Sequence, residues 1–264
     1  MNEKGVRAAS LAASPAATSA PNCRLLIDTS GEEMLLGLVY EGDLVVAEHM
    51  DGHRQIEAIN LQVQSLLKGF DIEVSAISSI GVVVGPGSMA GLRVGVTFAK
   101  ALSYALGCGI TPLLSHEVIA TIFAEGSDPV VVLRRVRKQE AFGAICTKGP
   151  LGLTTISGPT VLGPNELAAW LSRSKLSPSS MLVVSDRAPE KVLEGGDGLE
   201  VVNYHLPSML LETCESMNYL MDSGTESAGA VGYADVAIAY VRGADTRVSY
   251  QRLNSSGDLE WVKD

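Results

Sequence analysis

The feature that most constrains this sequence is a short apolar run followed by a glycine-rich loop. The run Ser78–Gly85 reads SSIGVVVG, which is typical of a buried strand because it is short and rich in β-branched residues. The loop and helix start that follow, GPGSMAGLRVG, contain four glycines in eleven residues. An apolar stretch then predicts a helix over about 89–106. A strand, a tight turn and a helix in this order predict an α/β fold.

The surrounding segments extend this pattern into a mixed sheet with helices on its faces. RLLIDTS, at 24–30, predicts a strand, and the next two apolar runs flank the turn Glu41–Asp43, which indicates a hairpin. Apolar residues at helical spacing then predict a helix over about 54–68. A strand near TPLLS and a helix from about residue 116 follow the glycine-loop helix.

A second unit begins near residue 126, after the break Gly126–Pro129. Its predicted strands are DPVVVLRRVRK, EAFGAIC and MLVVS, and its predicted helix lies near PNELAAWLSR. From about residue 207 a further helix leads to the segment DVAIAYVR. The first 22 residues are rich in alanine and serine and lack the apolar core of a signal peptide, so we expect a disordered tail.

Composition excludes several classes of protein. The formal net charge is −10, which argues against a chain that binds nucleic acid alone, because phosphate binding needs clustered lysine and arginine. No apolar run approaches the roughly 18–20 residues of a membrane-spanning helix. The four cysteines form no CxxC pair, so we expect reduced thiols and a cytoplasmic location.

The glycine loop has two interpretations, and the first is anion binding. Ser88 can cap the following helix, whose N-terminus suits a phosphate, and Arg93 is a candidate anion contact. Asp28, at the end of the first strand, is the best carboxylate for a phosphate or Mg²⁺ contact, although it could equally cap the next turn. The loop matches neither a Walker A sequence nor a dinucleotide fingerprint. Asp28, Ser88 and Arg93 are therefore candidate nucleotide or anion contacts.

The second interpretation is close packing. Small residues recur at every fourth position of the predicted helix, namely Gly87, Gly91, Gly95, Ala99 and Ser103. Such a row stays near one helix face and lets another helix approach closely. The partner helix could be the chain's own 54–68 helix or one from another subunit. We favour this docking interpretation over the phosphate site.

The histidines do not predict a metal site. His49 and His53 are four residues apart in HMDGH, but His49 ends a strand and Gly52 interrupts any helix there. No third ligand is evident. His116 opens a predicted helix and favours a structural role, and no motif for a nucleophilic serine is present.

Three stretches together resemble the TsaB (YeaZ) family. They are LLIDTS, GHRQIEAINLQVQSLL and SSIGVVVGPGSMAGLRVGVTFAKALSYALG, which match the family's IDTS, GHSERLLP-like helix and GPGSFTGLRIG patterns. RRVRKQEAFGAI resembles its DARRGEVYAA segment, with Arg135 or Val136 where aspartate is usual. DVAIAYVR resembles its P-x-YLR ending, with Ala239 in place of proline. The resemblance spans about residues 24–250 and weakens in the second unit.

The resemblance implies an actin-like (ASKHA, ribonuclease H-like) fold of two α/β lobes with mixed sheets flanked by helices. The expected organisation is a tail over 1–23, a partner-binding first lobe over 24–125, a second lobe over 126–206, and a C-terminal segment over 207–264 that returns to the first lobe.

The resemblance also implies a function without catalysis. TsaB proteins pair with TsaD, the enzyme that transfers a threonylcarbamoyl group to N6 of a tRNA adenosine (t6A), and the ATPase TsaE joins the complex. We therefore expect a heterodimer with TsaD, a homodimer when the chain is alone, and contact with tRNA only through the complex. Any ATP or ADP would bind at the subunit interface, and no cofactor or metal of its own is expected.

The family pairs through the glycine-loop helix and the helix before it. The alternative is an enzyme of the same fold, either an ATP-dependent phosphotransferase or a TsaD-like metalloenzyme (glycoprotease). TsaD-like enzymes carry an HxxxH pair after the following strand, and here His116 is present but Ala120 replaces the second histidine. The expected interface comprises Ile56, Ile59, Val63, Gly87, Met89, Gly91, Leu92, Gly95, Val96 and Ala99.

Overall fold

The fold consists of two five-stranded sheets with helices between and outside them. The computed structural model describes residues 22–51, 54–150, 152–174, 176, 181–194, 199, 201–223, 229–239, 241, 249–253 and 259–263. The prediction of a disordered tail lies outside these residues, except that Cys23 already starts the first strand.

The first sheet is built as the sequence pattern predicts. Its strands are β1 (Cys23–Asp28), β2 (Glu33–Tyr40), β3 (Asp43–Asp51), β4 (Ile77–Gly85) and β5 (Gly109–Leu114), in the order β3-β2-β1-β4-β5. β1, β2 and β3 pair antiparallel, and β4 and β5 run parallel to β1. The helices α1 (Gln55–Gly69), α2 (Met89–Leu106) and α3 (Ser115–Phe123) lie within a few residues of their predicted bounds.

The second sheet repeats this topology. Its strands are β6 (Val130–Arg137), β7 (Glu140–Gly149), β8 (Gly152–Leu162), β9 (Leu182–Asp186) and β10 (Val201–Asn203), in the order β10-β9-β6-β7-β8. Helix α4 (Leu167–Ser174) lies between β8 and β9 in the chain, α5 (Glu190–Leu193) lies between β9 and β10, and α6 (Leu210–Ser223) follows β10. The strands β11 (Ser249–Leu253) and β12 (Leu259–Lys263) pair antiparallel with each other. Two mixed sheets with the same strand order confirm the predicted two-lobe α/β class.

Three apolar clusters connect the layers. One lies between α1, α2 and the first sheet, where β1 contributes Leu25 and Ile27. The second joins the other face of that sheet, through Leu26, to α3, α6 and the second sheet. The third lies under α4 on the far face of the second sheet and contains Trp170. Since α3 and α6 belong to a core shared by both sheets, the two lobes pack directly against each other.

The chain returns to the first lobe after α6. Residues 229–239 run beside β4 and β5, where Val231 pairs with Ile110 and the Ala239 N–H donates to the Val84 carbonyl at 2.9 Å. Gly85 has a φ of +129°, and a side-chain carbon at this position would lie 2.8 Å from the Ala239 carbonyl oxygen. Only glycine suits this position.

The ends of α2 explain where the glycine loop stops and the helix begins. The Ser88 side chain accepts a hydrogen bond from the Gly91 N–H at 3.3 Å, so it caps the first turn as predicted. Gly107, with a φ of +68°, ends the helix, and its N–H donates to the Ser103 carbonyl at 2.8 Å.

The small-residue row of α2 faces the chain's own β1, and this corrects the predicted interface. A side-chain carbon on Gly91 would overlap the Thr29 carbonyl, one on Gly95 would overlap the Thr29 hydroxyl, and one on Gly87 would overlap Ser30. The glycines let the helix approach the end of β1 and are not an exposed docking surface. Seven of the residues predicted for the interface are buried in the first lobe: Ile59, Val63, Gly91, Leu92, Gly95, Val96 and Ala99. Of the other three, Gly87 is half-buried and Ile56 and Met89 are exposed.

We predict that Gly91→Ala destabilises the protein by about 3 kcal/mol, because its methyl group would force α2 away from β1. Gly69→Ala, which places its methyl group in open space at the end of α1, should change the free energy of unfolding by less than about 1 kcal/mol. Urea denaturation of both variants measures the difference. Equal stability of the two would contradict the close contact.

Candidate functional site

The candidate site lies between the lobes, where β1 turns into β2. The Ser30 N–H donates to Oδ1 of Asp28 at 2.7 Å, so Asp28 caps the turn. The Ser88 N–H in turn donates to the Ser30 carbonyl at 2.7 Å. The β1–β2 turn and the glycine loop are therefore held together, and both face the second lobe.

Arg134 crosses from the second lobe into this turn. It extends from β6, and its Nη1 donates to Oγ of Ser30 at 2.7 Å while its Nε lies 3.4 Å from Oδ2 of Asp186. The residue is only 5% exposed. Burial by itself opposes the charge, but Asp186 and Asp28 outweigh it, so the pKa of Arg134 is raised further above its ordinary value. The guanidinium is a permanent buried cation shared by both lobes.

The neighbours of Arg134 leave little room beside it. A side chain on Gly31 would come within 3.0 Å of Nη2 of Arg134. The Tyr204 ring is buried in the same region, where burial raises the pKa of its phenol. Its hydroxyl has no hydrogen-bond partner in the part of the chain that the structure describes.

A second set of polar contacts joins the lobes at the rim of the cleft. Nη1 of Arg187 contacts Oε2 of Glu32 at 2.5 Å, and its Nη2 lies 2.9 Å from Nε2 of His205. His205 also lies 3.9 Å from Oε1 of Glu33. These pairs are partly exposed, so each contributes little stability.

A buried polar cluster surrounds His116 at the start of α3. Nε2 of His116 lies 3.2 Å from Oγ1 of Thr155 on β8, and Thr155 donates to Oε1 of Glu117 at 3.2 Å. Burial lowers the pKa of His116 to about 4. Thr155 also lies 3.8 Å from Sγ of Cys146, and burial raises the pKa of that thiol to about 12. At neutral pH the imidazole of His116 and the thiol of Cys146 are therefore both uncharged, which suits a structural contact between the lobes.

The inner part of the cleft, beside Arg134, is polar and narrow. The Arg134 charge is already balanced by Asp28 and Asp186, so a phosphate placed there would meet two carboxylates. The cavity bounded by Arg134, His116 and Pro86 has room for about one water molecule.

The three residues predicted as anion contacts are not brought to one site. Asp28 is buried and faces Arg134, whereas Ser88 and Arg93 are exposed on the glycine loop and on α2. Among the described residues, no group of three histidine, cysteine or acidic side chains is arranged to hold a metal. Of HMDGH, residues 52 and 53 lie outside the described residues.

Comparison with known proteins agrees with this architecture. The family model of the tRNA N6-adenosine threonylcarbamoyltransferase TsaD matches residues 50–174. The tRNA threonylcarbamoyladenosine biosynthesis protein TsaB of Bacillus subtilis is 37% identical over 98 residues, covering 36% of this chain and 42% of that protein. YeaZ from Pseudomonas aeruginosa has the same fold, with a TM-score of 0.65, 16% identity and coverage of 83% of this chain and 99% of that one.

The chain is therefore similar to TsaB (YeaZ) proteins, in sequence over about a third of its length and in fold over most of it. TsaD enzymes are also similar to it, for example that of Geotalea daltonii, 27% identical over 113 residues, with 39% of this chain and 33% of that protein covered. The chain spans less than half the length of these curated relatives. Each helix in the described part of the chain is too short or too polar to cross a membrane.

Sequence reasoning missed Arg134, Asp186 and Tyr204. One signal was available, because an arginine directly after the apolar run VVVL falls within a predicted strand. A charged residue there is expected to be paired if it is buried. The partners could not be found, since they lie on β9 and after β10, far along the chain.

We predict that Arg134→Met lowers the free energy of unfolding by about 3 kcal/mol, because it leaves the buried Asp28 and the half-buried Asp186 without their cation. Arg135→Met, at the exposed neighbouring position, should change it by less than about 0.5 kcal/mol. Chemical denaturation of the two variants is the measurement. Similar losses in both would contradict the buried ion pair.

We further predict that His116 lowers the free energy of unfolding of the protein at acidic pH. Its pKa falls from 6.5 to about 4 on folding, so the unfolded chain binds more protons between these values. The contribution of neutral His116 to the free energy of unfolding is complete above pH 6.5. It decreases by up to about 3 kcal/mol as the pH falls towards 4. The stability difference between wild type and His116→Gln should shrink over this range in pH-dependent denaturation. Parallel profiles of the two proteins would contradict the shift.

Proposed function

We propose that this chain is a non-catalytic subunit of the machinery that makes N6-threonylcarbamoyladenosine in tRNA, and that it acts as the partner of a TsaD enzyme. The observation that carries the proposal is the Arg134 ion pair, which lies in the cleft of a chain similar to TsaB and links its two lobes. In a fold whose enzymes bind their substrates between the lobes, a cleft closed by its own side chains favours a binding role.

The region around His116 supports the same conclusion. Nε2 of His116 is engaged with Thr155, and the position four residues later on α3 is Ala120. A TsaD-like metal pair would need a second histidine on that helix face. These observations favour a binding subunit over the rival proposals, a TsaD-like metalloenzyme or an ATP-dependent phosphotransferase.

The surface that suits a partner is the side of α1 and α2 that faces away from the sheet. The two helices pack against each other, and the glycine row keeps α2 close to β1. We call this surface the outer α1–α2 face. Its apolar or small members are Ile56 and Leu61 on α1, and Met89, Ala90, Val94, Thr97, Phe98, Ala101 and Tyr104 on α2. Ile56, Leu61 and Tyr104 are 77%, 63% and 70% exposed.

An exposed apolar helix face of this kind is typical of a protein interface. The TsaD occupant follows from the family, whose TsaB and TsaD members are both similar to this chain. We propose that the same face forms a homodimer when the chain is alone. In this proposal the outer α1–α2 face is the docking surface, in place of the glycine row that the sequence favoured.

The charge of the chain supports an indirect relation to tRNA. Its net charge of −10 disfavours phosphate contacts by this chain alone. We propose that tRNA is contacted through the complex and that TsaE joins it there. We further propose that any ATP or ADP binds at the interface with the partner, away from the two carboxylates that face Arg134.

The test is co-purification with the TsaD encoded in the same genome. Ala101→Arg places a long cation in the middle of the outer α1–α2 face without entering the core, and we expect it to lower the amount of co-purified TsaD at least tenfold. Ala169→Arg, an equal change on an exposed position of α4, should leave the complex intact. Circular dichroism of both variants controls for folding.

Two results would contradict the proposal. One is failure of the wild-type chain to bind TsaD at micromolar concentrations. The other is ATP hydrolysis by the purified chain that is lost in Arg134→Met and retained in Ala101→Arg. In that case the cleft, not the outer face, would carry the function.

A further inference from the structure

The cavity between the lobes is lined by a buried imidazole, that of His116. His116 is 3% exposed, and its Nδ1 has no hydrogen-bond partner among the described residues. A buried polar atom in this condition costs free energy unless a bound molecule satisfies it. His116 lines the small cavity beside Arg134.

The hydrogen bonds of Thr155 determine which imidazole nitrogen carries the proton. Thr155 has one hydroxyl proton and donates it to Oε1 of Glu117. In its contact with His116, Oγ1 must therefore accept, so Nε2 is the protonated nitrogen. Because burial keeps the ring neutral, Nδ1 carries a bare lone pair at neutral pH. The cavity thus presents an acceptor that needs a hydrogen-bond donor.

The walls of the cavity restrict what that donor can be. Pro86, Ser115 and His116 come from the first lobe, and Val132, Arg134, Phe142 and Pro159 are among those from the second. Anions are disfavoured by the bare lone pair of Nδ1, and cations by the charge of Arg134. The room suits one molecule of the size of water, which can donate to Nδ1. In the same wall the Ser115 hydroxyl donates to the Pro86 carbonyl at 2.6 Å, and each of these oxygens keeps a lone pair for a second proton.

We propose that this cavity is a binding site for a single water molecule, which donates a hydrogen bond to Nδ1 of His116 and bridges the two lobes. His116 and Thr155 already make one direct polar contact between α3 and the second sheet, and the water would make a second. This link is independent of the partner proposed above, since the outer α1–α2 face lies on the other side of the first sheet.

Nitrogen-15 NMR of histidine-labelled wild-type protein at pH 7 tests the proposal, with His116→Gln to assign the signal. We expect the Nε2–H tautomer, an Nδ1 resonance displaced from the position of an unbonded nitrogen, and magnetisation transfer from water to the ring. Val132→Ile adds a methylene group to the cavity wall, and its Nδ1 resonance should return towards the unbonded position.

Three outcomes would overturn the water site. A proton on Nδ1 would reverse the assigned tautomer, and an unbonded Nδ1 resonance in wild type would exclude a bound donor. Selective broadening of the His116 signals by one equivalent of Co²⁺ would identify a metal ligand instead. Each result is read from the folded wild-type protein, so it does not depend on the stability of a variant.

Discussion

The approach of α2 to the end of β1 is the constraint on which the first lobe depends. Gly91 and Gly95 meet the Thr29 backbone and side chain at distances that no side-chain carbon could occupy. This contact brings the glycine loop beside the β1–β2 turn, where Ser88 and Ser30 share a backbone hydrogen bond. It also presents the opposite side of α2, with Ala101 and Tyr104, to solvent. One packing requirement thus positions both the cleft and the outer α1–α2 face.

Arg134 places a buried positive charge in the cleft between the lobes. Its guanidinium satisfies Ser30 in the first lobe and Asp186 in the second, so the lobes are joined by a charge that belongs to the protein. Ion pairs of this kind contribute little net stability over an apolar core, but removing one partner is costly. The two lobes are therefore linked across the cleft by a cation that neither lobe satisfies alone.

Much of the fold could be predicted because its signals are local. The β-branched run of β4, the helical spacing of α1 and the Ser88 and Gly107 ends of α2 are all visible in adjacent residues. β8, with its mixed apolar and polar residues, was not predicted, because its burial pattern depends on the neighbouring strand. The site was harder to predict from the sequence for the same reason. Its residues come together only after both sheets have formed, and they are Asp28, Arg134, Asp186 and Tyr204.

The sequence by itself determined the strand–loop–helix unit, the α/β class and the resemblance to the TsaB family, since these depend on residue spacing and short motifs. It also established that the row from Gly87 to Ser103 permits a close contact. Only the tertiary structure decided what makes that contact. A smooth helix face fits a strand end as well as another helix, and the choice depends on which surface the folded chain brings to it.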